Sequence, residues 1–224
     1  MNYLFFDFDG TLADTSKGIY FSFKKACKKI NYDCPSFIDF KKQIGPPIHL
    51  IIKNFFPTIK ENDLILFQNA FREDYDTKSY KIVRWYEGIN KSLIVLKKNY
   101  KFAVVSNKPT LLCRKLLKSK SLIKYFDLVM GIDYCANIGK SNFKDKSYAI
   151  NYALKILNVN PSQVTYIGDT LSDMKNANYL GIQFIAAKYG FYNWSDNNYP
   201  NMYIDKFSEI EKVIECNKKK ERTL

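Results

Sequence analysis

The chain opens on an apolar run, Leu4-Phe5-Phe6, that has no polar face. Such a run predicts a strand buried on both sides, as in a parallel sheet. Asp14-Thr15-Ser16 then supplies side chains suited to capping a helix. Beyond them Ile19, Phe21, Phe23, Ala26, Cys27 and Ile30 recur at roughly helical spacing. Pro35-Ser36 starts a short helix through Phe40, and Gly45-Pro46-Pro47 breaks it. Ile48 to Phe55 and Glu61 to Tyr75 read as two more helices.

From Val83 the pattern changes to strands alternating with helices. Strands are expected at Lys101–Val105, Leu128–Ile132, Val164–Ile167, Gln183–Ala187 and Met202–Ile204. Helices are expected after Gly88, around Leu111 to Lys118, and at Ser147–Leu157, Leu171–Leu180 and Phe207–Cys216. Alternation of this kind implies an α/β fold, a Rossmann-like parallel sheet covered on both faces. Residues 1–14 and 84–217 would form that core, and 15–83 an inserted α-helical cap. The basic stretch 218–224 is expected to be a disordered tail.

Polar groups cluster where the strands end. Asp7 and Asp9 follow the first strand, separated by one residue, with Gly10-Thr11 next. Alternate side chains of an extended chain point the same way, so two carboxylates would converge there. They repel unless a cation or a shared proton intervenes, and oxygen ligands at this density suit Mg²⁺. Ser106, Asn107 and Lys108 follow the second strand, and Asp169 follows the fourth. Asp173 lies four residues beyond Asp169 and could return to the same place from a helical turn. In a parallel sheet all these ends share one edge, where ligands bind. Acids, a hydroxyl and a lysine on one edge suit metal-assisted phosphoryl transfer, with a carboxylate as nucleophile.

Net charge is +13, from 35 Lys+Arg against 22 Asp+Glu. A surplus of this size can serve nucleic acid, an anionic membrane or anionic small substrates. No DNA- or RNA-binding motif accompanies it, and no apolar run approaches a membrane span, so a small phosphorylated substrate is the expected partner. The five cysteines are scattered without a CxxC, which argues for reduced thiols in a cytoplasmic protein rather than a disulfide frame or zinc site. The chain starts directly into a strand, leaving no room for a signal peptide. Oligomeric state is not written in the sequence.

Three stretches together resemble the haloacid dehalogenase superfamily: Asp7-Phe8-Asp9-Gly10-Thr11-Leu12, Val105-Ser106-Asn107, and Gly168-Asp169-Thr170-Leu171-Ser172-Asp173. The nearest group looks like the phosphoglycolate phosphatases and β-phosphoglucomutase relatives, which carry a helical cap after the first motif. The resemblance implies a Mg²⁺-dependent phosphatase of small metabolites, whether phosphoglycolate-like, sugar phosphates or phosphorylated amino alcohols. Asp7 would be nucleophile and metal ligand, and Asp9 general acid/base with its carbonyl on the metal. Ser106 and Asn107 would hold phosphoryl oxygens. Asp169 would bind the metal, supported by Asp173. A phosphomutase would use the same two acids, and a phospho-accepting signalling domain would need no helical insert.

The family also has a lysine that neutralises nucleophile and phosphate. Here the candidates are Lys140, Lys144 and Lys146, all before the helix expected from Ser147. Counting back from Gly168, Lys144 fits the usual spacing best, and Lys146 is expected to be a solvated neighbour. His49, the single histidine, and Arg72 are expected on the surface, Trp85-Tyr86 in the hinge, and 189–199 in a surface loop.

Overall fold

The computed structural model describes residues 2–134, 145–194 and 199–221. The chain opens with β1 (Asn2–Phe6) and the two-residue β2 (Ala13–Asp14). Four helices follow: α1 (Ser16–Lys29), α2 (Phe37–Lys41), α3 (Ile48–Phe55) and α4 (Glu61–Tyr75). The chain returns through β3 (Arg84–Trp85) and continues with α5 (Ile89–Leu96), β4 (Tyr100–Ser106), α6 (Thr110–Ser119) and β5 (Leu128–Gly131). Then come α7 (Lys146–Leu157), β6 (Val164–Gly168), α8 (Leu171–Tyr179), β7 (Gln183–Ala187), β8 (Tyr203–Ile204) and α9 (Ile210–Glu221).

Six strands form one parallel sheet in the order β5-β4-β1-β6-β7-β8. β1 lies inside it, with Phe6 opposite Val104 on one side and Ile167 on the other. Its apolar run follows from that position, since both faces are covered. Leu4 and Phe6 pack with Leu93, Leu116 and Ile210 on one face, and Tyr3 and Phe5 with Ile150, Ala153 and Ala177 on the other. Phe5 and Phe6 are fully buried, and truncating either to Ala would cost about 3–5 kcal/mol. The chain leaves β1 toward β4 on one side, and the neighbouring β6 leaves toward β7 on the other, so the carboxyl ends of β1 and β6 flank the switch point of the sheet.

The four helices between β2 and β3 have their own apolar centre. Phe23 of α1 packs against Phe40 at a ring distance of 4.6 Å and against Phe67 of α4 at 4.8 Å. Asp74 ties the two long helices together, accepting from Ser22 at 2.7 Å and Lys25 at 2.5 Å, with Ser79 as a third donor. β2 and β3 are the way in and the way out, paired antiparallel through Ala13–Trp85 and Asp14–Arg84. Leu112 and Phe191 join this centre from the sheet side.

One local expectation changes and another is made specific. α9 continues through Glu221, into the basic stretch expected to be disordered; its Lys and Glu residues are good helix formers. Residues 222–224 lie outside the described residues. At the start of α1 the cap is Asp14, which accepts from the Ser16 backbone N–H at 3.1 Å and hydroxyl at 2.6 Å. Thr15 makes no cap bond and donates instead to Asp9. Among the described residues no helix is long and apolar enough to cross a membrane.

Candidate active site

β1 ends at Phe6, and the Asp7 N–H still bonds to the Ile167 carbonyl at 2.9 Å, so Asp7 continues the sheet. The chain then turns sharply: Gly10 has φ +79°, and the Leu12 N–H closes on the Phe8 carbonyl at 2.9 Å. Gly10 also meets a steric demand. A Cβ there would stand 2.0 Å from Asp169 Oδ2. Only glycine combines this φ with so close an approach of backbone to carboxylate.

Asp7 is buried, and its Oδ2 lies 3.0 Å from the Lys146 ammonium. Its Oδ1 is buried and has no hydrogen-bond partner among the described residues. Burial pushes the Asp7 carboxyl up to about 6, against the lowering pull of Lys146. Asp9 has a different cation: Lys108 Nζ sits 3.0 Å from its Oδ1, and the Thr15 hydroxyl donates to the same oxygen at 2.7 Å. The two acids expected to share one cation therefore each have their own ammonium.

Asp169 and Asp173 come from the end of β6 and the first turn of α8. Asp169 accepts from the Thr11 hydroxyl at 3.3 Å and the Phe191 N–H at 2.8 Å. Burial, together with Asp173 and Asp7, drives its carboxyl well above the usual range. Asp173 completes a capping box with Thr170, accepting from its N–H at 3.1 Å and hydroxyl at 2.7 Å. Its other oxygen takes the Lys146 ammonium at 2.5 Å.

Asp7, Asp169 and Asp173 each bring a carboxylate oxygen within 4.8 Å of the other two. Three buried acids, one orphaned oxygen on Asp7 and a raised carboxyl on Asp169 fit a hard divalent cation such as Mg²⁺. Asp173 differs from the other two in its partners: it takes the Lys146 ammonium at 2.5 Å and the Thr170 hydroxyl, whereas Asp169 is held by a hydroxyl and one backbone N–H.

Lys146 corrects an expectation. Its side chain is 3% exposed, wedged between Asp7 and Asp173, and is not a solvated neighbour. Helix α7 begins at Lys146, one residue earlier than the spacing predicts, because Asp145 caps it by accepting from Ser147 and Tyr148 N–H groups. Side chains of a first turn lean toward the helix N-terminus, here the sheet edge. Although burial works against its charge, Asp173 and Asp7 hold Lys146 protonated well above the usual lysine range. Lys140 and Lys144 lie outside the described residues.

Ser106 ends β4, buried, and its hydroxyl accepts from the Lys108 N–H at 3.2 Å. The Asn107 side chain donates to the Gly45 carbonyl at 2.9 Å and so ties the strand end to the loop before α3. A cavity of about 60 Å³ lies between these groups and the helices. Asp7, Asp9, Ser106 and Lys108 line it from below; Ile44, Ile48, Phe71, Arg72 and Tyr75 are among the residues that line it from the helical side. Arg72 thus reaches the cavity as well as Asp76, 3.4 Å away, while His49 is exposed as expected. Trp85, in β3, packs on Phe8, ring to ring at 5.8 Å.

The aromatic segment expected to be a surface loop begins inside the site. The Tyr189 hydroxyl donates to the Thr11 carbonyl at 2.9 Å, and the buried Phe191 supplies the N–H that holds Asp169. Gly190 allows the approach, since a Cβ there would come within 2.2 Å of Asp169 Cβ. Residues 195–198 of that segment lie outside the described residues.

Comparison with known proteins places this arrangement among relatives. Residues 4–187 match the family described as haloacid dehalogenase-like hydrolase. The chain is 27% identical to a phosphoglycolate phosphatase of Aquifex aeolicus over 96% of its length and 97% of that protein. It is 24% identical to the pyrophosphatase PpaX of Bacillus cereus, covering 96% of each. Among solved structures, a predicted phosphatase from Clostridium acetobutylicum superposes with a TM-score of 0.85 at 27% identity, covering 96% of this chain and 98% of that one.

Proposed function

The chain belongs to the haloacid dehalogenase-like hydrolases, and from that premise we propose that it is a Mg²⁺-dependent phosphatase of a small phosphorylated metabolite. The observation that carries the reading is the state of Asp7: a buried carboxylate, one oxygen on an ammonium and the other unpartnered among the described residues, lining a cavity beside a second acid. The Asp7 carboxylate attacks phosphorus as the ester P–O bond breaks, and Asp9 gives a proton to the departing oxygen. Asp9 then takes a proton from water as that water displaces Asp7 and releases phosphate. Ser106 and the Asn107 backbone orient the phosphoryl oxygens, and Lys146 offsets the charge that Asp7 and the phosphoryl group bring together. Bound Mg²⁺, held by Asp7, Asp169 and the Asp9 carbonyl with Asp173 behind them, would neutralise phosphoryl charge.

The helical wall of the cavity favours one leaving-group class. Among the described residues it contributes no acid, several apolar side chains and one guanidinium, that of Arg72. Amino alcohols would find no counter-charge and sugars few partners, so a short leaving group bearing an anion fits best. The relatives named for phosphoglycolate and pyrophosphate act on substrates of that kind. Phosphate release from a panel of anionic, neutral and cationic phosphoesters, with Mg²⁺ and with chelator, tests this. Mg²⁺-dependent turnover led by the anionic esters is expected. Turnover unaffected by chelator, or none on any ester, would overturn the proposal.

A further inference from the structure

Lys108 is the second buried cation of the site, and its place is unusual. Its side chain is 1% exposed, yet it extends from the end of β4 toward the helical block. Taking an ammonium out of water costs several kcal/mol unless partners replace the solvent. Its donors reach Asp9 Oδ1 at 3.0 Å and the Tyr75 hydroxyl at 2.5 Å, and the ring of Tyr75 lies 4.8 Å from the charge. The backbone of Lys108 is fixed from the sheet side, by Ser106 Oγ and by Cys113 Sγ, which donates to its carbonyl. The position of the ammonium is therefore set by Asp9 and Tyr75.

These partners belong to different parts of the molecule. Asp9 follows β1, whereas Tyr75 is the last residue of α4, buried and stacked on Phe71 at 5.3 Å. The block that carries Tyr75 joins the sheet through β2 and β3. The other group holding Asp9, the Thr15 hydroxyl, stands at the foot of α1 in the same block. A small rotation of the block about that ribbon would withdraw the phenol and admit water to the ammonium, leaving the Asp9 carboxylate free to turn.

We infer that Tyr75 is a positioning residue: its phenol, delivered by the helical block, fixes the Lys108 ammonium that aligns Asp9 toward the leaving group. This rests on Asp9 being the acid of the proposed reaction, and the two ideas fail separately. The readout is kcat/KM on an alkyl phosphate, whose leaving oxygen needs a proton, against 4-nitrophenyl phosphate, whose leaving oxygen needs little help. Asp9→Asn should lose far more on the alkyl ester. Tyr75→Phe, which keeps the ring and removes the hydroxyl, should lose at least about fivefold more on the alkyl ester than on the aryl one. Added to Asp9→Asn it should produce no further bias. Equal losses on both esters for Tyr75→Phe, with Asp9→Asn biased, would overturn the inference and reduce Tyr75 to a packing residue. An unbiased Asp9→Asn would overturn the acid assignment beneath it. If Tyr75→Phe does not fold by circular dichroism, Lys108→Arg carries the same comparison, since a planar guanidinium cannot place one nitrogen on both partners; it should show the same bias, and equal losses would overturn the inference.

Discussion

Replacing Lys146 by Met removes the ammonium and keeps most of the buried stem, so the change isolates charge from packing. The ammonium stands 3.0 Å from Asp7 and 2.5 Å from Asp173. At an effective dielectric of about 20, each contact is worth on the order of 5 kcal/mol before the cost of desolvation. Removing one member of a buried ion pair costs about 3–5 kcal/mol net, because the charges left behind have no water. Here two carboxylates lose their counter-charge with Asp169 beside them. A loss of that size should lower Tm by about 10 °C in a chain of this length, measured in chelator so that no cation replaces the lysine. At saturating Mg²⁺, kcat should fall at least about a hundredfold, on the order of 3 kcal/mol of electrostatic stabilisation. Lys144→Ala, the variant that spacing alone would nominate, should fall less than about fivefold on the same scale. A Lys146→Met protein with near wild-type kcat and unchanged Tm would refute this, as would a crippled Lys144→Ala beside an active Lys146→Met.

Asp169→Ala should weaken the apparent Mg²⁺ affinity in an activity titration; an unchanged affinity would remove Asp169 from the metal. Asp7→Asn should raise Tm in chelator at pH 7. Its carboxyl is raised from 3.8 to about 6 on folding, so the folded protein binds the extra proton and loses stability as pH rises between those values. The variant should lack that slope, and an identical pH profile of Tm would contradict the argument. Asp74 has the opposite sign: although burial opposes it, bonds from Lys25, Ser79 and Ser22 hold its carboxyl down to about 2. The stability it gives is present above about pH 4 and lost as pH falls through about 2. Asp74→Asn should therefore lower Tm at neutral pH while narrowing its difference from wild type in acid, and a constant difference would count against it.

How far the sequence reveals this site depends on the range of each determinant. Asp7, Asp169 and Asp173 are legible because strand runs and the spacing of one helical turn place them locally, with no need to know the neighbours. Lys146 is not, because its direction turns on one residue of helix phase, set by the Asp145 cap. In a chain with 35 Lys+Arg, a single lysine carries little signal of its own. Tyr75 and Lys108 are 33 residues apart in sequence and meet where the end of α4 reaches the segment after β4. Phe191 and Tyr189 reach Asp169 and Thr11 from a segment whose aromatic and polar composition reads as surface. The alternation of strands and helices, by contrast, is a matter of local periodicity, and its strands match the six of the sheet to within two residues at either end.

Phosphate release by Asp7→Asn, at saturating Mg²⁺ and on whichever small phosphoester the wild type turns over best, tests the central claim most directly. The amide keeps the shape of the carboxylate but cannot displace the leaving oxygen, so release should fall to the level of a protein-free control. Release within about tenfold of the wild-type rate would contradict the account, because a carboxamide at residue 7 cannot form the aspartyl phosphate.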